Sequence, residues 1–127
     1  MKKRILKFRL IKDNKIVGYE LFQNEDKRMP FGCKWLYSKN NFRWDGRFIK
    51  HDTKNQYTGL KDKNGKEIYG EDIVKIKYRE YVGKVVWNIR GCWISEGIYT
   101  KEGYSLNITS ADEVIGNIYE NSNLLIY

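Results

Sequence analysis

Short segments of alternating polar and apolar residues, separated by turn residues, run along this chain of 127 residues. Residues 4–11 place an apolar side chain at every second position from Leu6 to Leu10, which predicts a strand with one mostly apolar face. Asp13-Asn14 follows, and both residue types tolerate a left-handed backbone. The chain then returns through residues 16–22, so the pattern predicts an N-terminal hairpin.

The second half of the chain also consists of short alternating segments separated by turn residues. Asn64-Gly65 separates residues 58–60 from residues 67–69 and suits a type I′ hairpin turn. Further short strands are predicted at residues 73–78, 83–88, 92–98 and 114–119. Short helical turns are expected at residues 110–113, where Ser110 and Glu113 have capping-box spacing, and at residues 121–125.

These elements predict a mostly β protein with an N-terminal hairpin-rich subdomain and a C-terminal small SH3-like barrel, with one or two short helical turns. We place the subdomains at residues 1–55 and 56–127 and expect them to form one compact unit. Composition agrees, because the chain has one Ala and one Pro while Tyr, Ile, Val, Phe and Trp fill its apolar positions. An AT-rich genome would also lower the alanine content.

Location follows from two features of the sequence. No apolar run approaches the roughly 18 residues of a membrane span, and the basic start MKKRILKFRL lacks an uncharged apolar region, so we expect neither a membrane anchor nor a secretion signal. The two cysteines, Cys33 and Cys92, are far apart. For a cytoplasmic protein, reduced core thiols are a better interpretation than a single disulfide.

The formal charge of +8 is unevenly distributed. Residues 1–55 hold 15 Lys and Arg against 6 Asp and Glu, a net of +9, whereas residues 56–127 hold 9 against 10, a net of −1. Such an asymmetry marks either a surface for a polyanion such as DNA or RNA, or a lysine-rich face in water. Both interpretations remain open from the sequence.

Aromatic and basic residues alternate most densely in residues 31–50. If Trp35/Tyr37 and Phe42/Trp44 lie on strands joined by a turn at residues 39–41, each pair shares one face. The candidate nucleic-acid-binding residues are Lys34, Trp35, Tyr37, Lys39, Arg43, Trp44 and Arg47. In one interpretation the rings stack on bases while the cations meet phosphates. In the other, which we prefer on residue size, the rings form the core and the cations point into water.

Enzymatic chemistry has little support in the sequence. His51 is the only histidine, which excludes sites that need two, and nothing places it beside Cys33 or Ser38. A second candidate set comprises four carboxylates that could bind Mg²⁺ for phosphodiester cleavage, namely Asp62, Glu67, Glu71 and Asp72. Their spacing matches no nuclease motif, so we interpret them as solvated turn residues. We expect no enzyme activity, no metal and no cofactor.

Two segments carry a family resemblance: QYTGLKDKNGKEIYGEDIV at residues 56–74 and EVIGNIYEN at residues 113–121. Together they resemble the YopX family of bacteriophage and prophage proteins, and the opening ILKFRLIKDNK is loosely similar. The family commonly has YEGDIV where this chain has Gly70 before Glu71, so a glycine with positive φ would have moved by one residue. The resemblance implies an accessory protein of unassigned activity in the cytoplasm of a bacterial host. It implies no catalytic residues.

Two classes of function therefore remain. The first is a nucleic-acid-binding module that uses the basic N-terminal half, whose binding would weaken steeply with salt. The second is a protein-interaction module that modulates a host or phage protein, or that self-assembles into a homo-oligomer through strand edges. It predicts a specific partner with a weaker salt response.

Overall fold

The computed structural model describes residues 5–23, 34–76, 81–88, 91–97 and 105–125. The strands are β1 Leu6–Lys12, β2 Lys15–Gln23, β3 Lys34–Ser38, β4 Thr53–Lys61, β5 Glu67–Tyr69, β6 Asp72–Ile76, β7 Tyr81–Trp87, β8 Trp93–Gly97, β9 Ser105–Asn107 and β10 Glu113–Asn117. A short 3₁₀ helix spans Ser122–Leu125. The chain divides into two compact units, Met1–Tyr57 and Thr58–Tyr127. The protein is mostly β, as the sequence predicts.

In the first unit, β3, β2, β1 and the first part of β4 lie side by side in antiparallel register. The β1–β2 hairpin turns at Asp13-Asn14, whose φ angles of 51° and 61° give the left-handed pair that the sequence predicts. Leu10 and Ile11 are almost fully buried here. Among the described residues of this unit, the most deeply buried apolar side chains are therefore aliphatic ones of β1 rather than the aromatic ones that follow β3.

In the second unit, the end of β4 lies beside β5, and a separate antiparallel sheet has the strand order β10-β6-β7-β8-β9. The core cluster of the second unit contains Ile68, Val74, Ile76, Val85 and Ile108. In the part of the chain that is described, β10 and β9 are the two outer strands of an open sheet. The closed, SH3-like barrel that we expected is therefore not confirmed.

Turn geometry corrects a second expectation. At Asn64-Gly65 only Gly65 has a positive φ, 80°, so the turn is not type I′. Instead the Gly65 N–H donates to the Asp62 carbonyl and the Asp62 N–H donates to the Lys66 carbonyl. This is the pattern of a type I turn followed by a left-handed residue. The Asp62 side chain also binds this turn, because its Oδ1 accepts the N–H groups of Asn64 and Lys66.

The predicted helical turn at residues 110–113 is wrong, because Glu113 already belongs to β10. The local bonds run from Thr109 instead: its N–H donates to Asp112 Oδ2 at 2.9 Å, and the Asp112 N–H donates back to the Thr109 carbonyl. The helical turn predicted for residues 121–125 is confirmed as the 3₁₀ helix.

Candidate nucleic-acid interface

β3 holds three of the predicted binding residues. Lys34 begins the strand, and its side chain lies outside the described part. Trp35 is 40% exposed, and its ring packs at 4.9 Å from the ring of Phe22 and 6.2 Å from that of Phe8. The ammonium group of Lys54 lies 5.3 Å from the centre of the Trp35 ring. Trp35 therefore belongs to a packed cluster on the sheet.

Tyr37 is occupied by contacts within the first unit. Burial, followed by a hydrogen bond to Glu20 and the charge of that carboxylate, raises the pKa of the Tyr37 hydroxyl to about 12. Glu20 is itself buried and accepts a 2.8 Å hydrogen bond from Lys54. The ring of Tyr37 also packs 5.3 Å from that of Phe48. The Tyr37 hydroxyl thus bonds to Glu20 and the Tyr37 ring packs against Phe48, both within the first unit.

The segment after β3, residues 39–50, is named here the basic loop. Two backbone bonds join Tyr37 to Asp45 at 2.7 and 3.0 Å and hold the middle of the loop beside β3. Asn40 Oδ1 accepts the backbone N–H groups of Phe42 and Arg43, both at 2.9 Å. The carboxylate of Asp45 accepts the N–H of Arg47 at 2.8 Å. These bonds give the loop a defined shape without strand pairing along its length.

The expected strand through Phe42 and Trp44 is therefore wrong. Within the basic loop, and among the partners that the structure describes, only Asp45 makes a strand-like bridge, to Tyr37. The Asn40 carboxamide takes the two N–H groups that a strand would have offered to a neighbour, and Asn41 adopts a φ of 63°. Side-chain-to-backbone bonds of this kind compete with sheet formation.

Charge and apolar surface coincide on the basic loop. Its cations, Lys39, Arg43, Arg47 and Lys50, are all exposed, and Asp45 is its one acid, so its net charge is +3. Phe42 is 80% exposed and Phe48 is 66% exposed, while Trp44 is half-buried. A surface with these groups can contact phosphates and flat rings at once.

The predicted set thus separates into two groups. Lys39, Arg43, Trp44 and Arg47 lie on the basic loop, whereas Trp35 and Tyr37 lie on β3 with partners inside the unit. The list of candidate residues left out Phe42 and Phe48, although Phe42 belongs to one of the ring pairs considered for stacking on bases. The signal that could have found them is Asn40, a residue type that often binds nearby backbone N–H groups and interrupts a strand.

The carboxylates considered for a metal have structural roles. Asp62 and Asp72 are buried, not solvated as we expected. Asp72 accepts the Tyr69 N–H at 2.8 Å, and Glu67 accepts the Tyr69 hydroxyl at 2.9 Å. Glu71 lies 3.9 Å from the ammonium group of Lys84. Within the described ranges, no group of three or more His, Cys, Asp or Glu residues could hold a metal ion.

The remaining reactive side chains are dispersed. His51 Nδ1 lies 2.7 Å from the Ile49 carbonyl, and the Ser38 hydroxyl donates to Asn40. Cys33 lies outside the described residues. Cys92 is a free thiol but is exposed, so the expectation of a core position is wrong for it. No helix among the residues described is long and apolar enough to cross a membrane.

Comparison with known proteins identifies the family. Among solved structures, the crystal structure of protein EF1440 from Enterococcus faecalis is similar, with 24% sequence identity and a TM-score of 0.46 over 97% of this chain and 99% of that one. No curated protein matches. A family model described as YopX protein matches residues 7–126, nearly the whole chain. The chain therefore belongs to the YopX family.

Proposed function

We propose that this protein is a nucleic-acid-binding module whose contact surface is the basic loop. The observation that carries the proposal is the coincidence, on one anchored loop, of four exposed cations with two exposed phenylalanine rings. Exposed apolar rings oppose solubility, so a folded loop that presents them beside cations fits a ligand that has both phosphates and flat bases.

The wider charge distribution supports this assignment. Residues 1–55, which contain the basic loop, have a net charge of +9 against −1 for residues 56–127. A local positive field of this kind attracts a polyanion before contact is made. A role as an accessory protein of a bacteriophage or prophage, acting in the bacterial cytoplasm, is part of the proposal and rests on the family resemblance. The absence of enzyme activity is also part of the proposal and rests on the residues of the sequence alone.

Charge-removal variants test the proposal. Binding of fluorescently labelled 12-nucleotide single strands and 12-base-pair duplexes is followed by anisotropy at 50 mM salt. Each phosphate neutralised on a single strand contributes about 0.7 log units of affinity per decade of salt, so Arg43→Ala/Arg47→Ala should weaken binding about 10- to 100-fold. Lys61→Ala/Lys75→Ala is the matched control, because it removes the same charge from exposed positions of the second unit.

Two results would refute the assignment. Equal losses in the two double variants would show that only net charge matters and that the basic loop is not the contact surface. If no labelled strand or duplex binds at 50 mM salt, the protein-interaction or self-assembling module becomes the better hypothesis. Affinity capture and sedimentation would then be the next experiments.

A further inference from the structure

The basic loop has an internal near-symmetry that the proposed function does not use. Its central residues are Phe42-Arg43-Trp44-Asp45-Gly46-Arg47-Phe48, so a Phe–Arg pair lies on each side of the central three residues. The centre is also the anchored part, because Asp45 bonds to the Tyr37 backbone at 2.7 and 3.0 Å. Two like pairs thus flank one anchored residue in the sequence.

Each pair offers the two groups that one nucleotide requires. A phenylalanine ring has no hydrogen-bonding atom, so it contacts a nucleic acid by its face or by wedging between bases. The guanidinium group of the adjacent arginine is a planar donor that suits a phosphate. Because the bases of a duplex already stack on one another, the 80% exposed ring of Phe42 fits a base that has no such partner. The ring of Phe48 lies 5.3 Å from that of Tyr37 and 5.4 Å from that of His51, and its 66% exposed surface leaves room for a second base.

We infer that the basic loop binds an unpaired strand, with one base stacked on Phe42, one on Phe48, and the neighbouring phosphates held by Arg43 and Arg47. This inference rests on the proposed nucleic-acid binding and narrows it to single-stranded DNA or RNA. Trp35 and Tyr37 serve as packing for the sheet beside the loop, since their ring or hydroxyl contacts are made within the unit.

The test separates bases from phosphates. Three labelled probes are compared at 50 mM salt: a 12-nucleotide oligothymidylate, a 12-nucleotide strand of abasic sites, and a 12-base-pair duplex. The abasic strand keeps the phosphates and lacks the bases. Stacking is worth about 5- to 150-fold in affinity per base, so the oligothymidylate should bind at least fivefold more tightly than the abasic strand.

Ring variants give the second part of the test. Phe42→Ala and Phe48→Ala should each weaken oligothymidylate binding at least fivefold and leave abasic binding within twofold, whereas Phe42→Trp keeps a ring and retains affinity. Trp87→Ala, at a half-exposed ring of the second unit, is the matched control and should change nothing. Phe42 and Phe48 are mostly exposed, so the variants should fold, and circular dichroism checks this.

The outcomes are distinguishable. Three results would overturn the inference while nucleic-acid binding itself stands. The first is equal affinity for the oligothymidylate and the abasic strand, and the second is equal affinity for the oligothymidylate and the duplex. The third is an equal loss of affinity for both single strands in Phe42→Ala. If none of the three probes binds at 50 mM salt, the proposed function fails, and this inference fails with it.

Discussion

Asp62 is a buried carboxylate that joins two distant parts of the second unit. Its Oδ1 accepts the N–H groups of Asn64 at 2.8 Å and Lys66 at 2.9 Å, and its Oδ2 accepts the N–H of Val114 at 2.9 Å. Burial alone would raise its pKa, but these three backbone bonds and the charge of Lys66 outweigh burial and lower the pKa below its ordinary value of 3.8. The ionised form is therefore the one that the fold stabilises.

Asp62→Asn should destabilise the fold strongly. An asparagine replaces one acceptor oxygen by an NH₂ group, which faces at least one backbone N–H, and it removes the charge that strengthens the other bonds. Hydrogen bonds to charged groups contribute about 1.5–3 kcal/mol each, so we expect a loss of about 2–4 kcal/mol in the free energy of unfolding at pH 7. The free energy of unfolding of a whole domain of this size is roughly 5–15 kcal/mol.

Asp112 provides the matched control. It is also buried, and its carbonyl accepts the N–H of Lys63, but among the described residues its carboxylate is bound by Thr109 alone. Here burial prevails over the Thr109 bonds and raises the pKa. Ionisation of Asp112 at pH 7 therefore opposes folding, and the neutral Asp112→Asn should change stability by less than about 1 kcal/mol.

Urea unfolding of both variants between pH 7 and pH 3 measures these effects. Because the pKa of Asp62 is lowered on folding, its stabilisation is present above 3.8 and is lost as the pH falls through the folded-state pKa. The difference in the free energy of unfolding between wild type and Asp62→Asn should therefore become smaller as the pH falls. Equal destabilisation by the two variants at pH 7, or a difference independent of pH, would refute this reasoning.

Three further predictions concern backbone strain, packing and tyrosine ionisation. Glu71 has a φ of 70°, so Glu71→Gly should relieve left-handed strain and raise stability by about 0.5–1 kcal/mol, seen as a higher melting temperature; a lower one would contradict this. Gly18→Ala would place Cβ 2.8 Å from a backbone carbonyl oxygen and should lower stability by about 1–3 kcal/mol, whereas Gly46→Ala, with no described atom within 4 Å, should be neutral in the same urea assay. The difference between the absorbance titrations of wild type and Tyr37→Phe should show a tyrosine with a pKa of about 12. Glu20→Gln should move this pKa part of the way back toward 10.0, and a pKa near 10.0 in wild type would contradict the prediction.

The elements that the sequence predicted correctly depend on local chemistry. Asp13-Asn14 carries two residues that tolerate positive φ, so the hairpin could be assigned from neighbours alone. The exchange at Gly70-Glu71 raised the question of where the left-handed residue lies. In this structure the residue with a positive φ is Glu71, at 70°. Its N–H donates to the Val85 carbonyl and its carbonyl accepts the Ile118 N–H.

The elements that it predicted wrongly depend on side chains that bind the backbone, which the alternation of polar and apolar residues does not show. Asn64-Gly65 would suit a type I′ turn by itself, but the Asp62 carboxylate that shapes this turn also binds Val114, 52 residues away. At Phe42 and Trp44, the two-residue spacing of rings indicated a strand, while in the structure Asn40 Oδ1 accepts the N–H groups of Phe42 and Arg43 and the backbone forms a loop. Periodicity alone could not distinguish a buried ring from the exposed ring of Phe42.

The salt dependence of binding tests the central claim most directly. The affinity of wild type for a labelled 12-nucleotide single strand is measured from 50 to 200 mM salt, beside Arg43→Ala/Arg47→Ala. With three or four cations of the basic loop on phosphates, the plot of log affinity against log salt should have a slope of about −2 to −3, reduced by about 1.4 in the double variant. Identical slopes for the two proteins, or a wild-type slope near zero, would contradict the account.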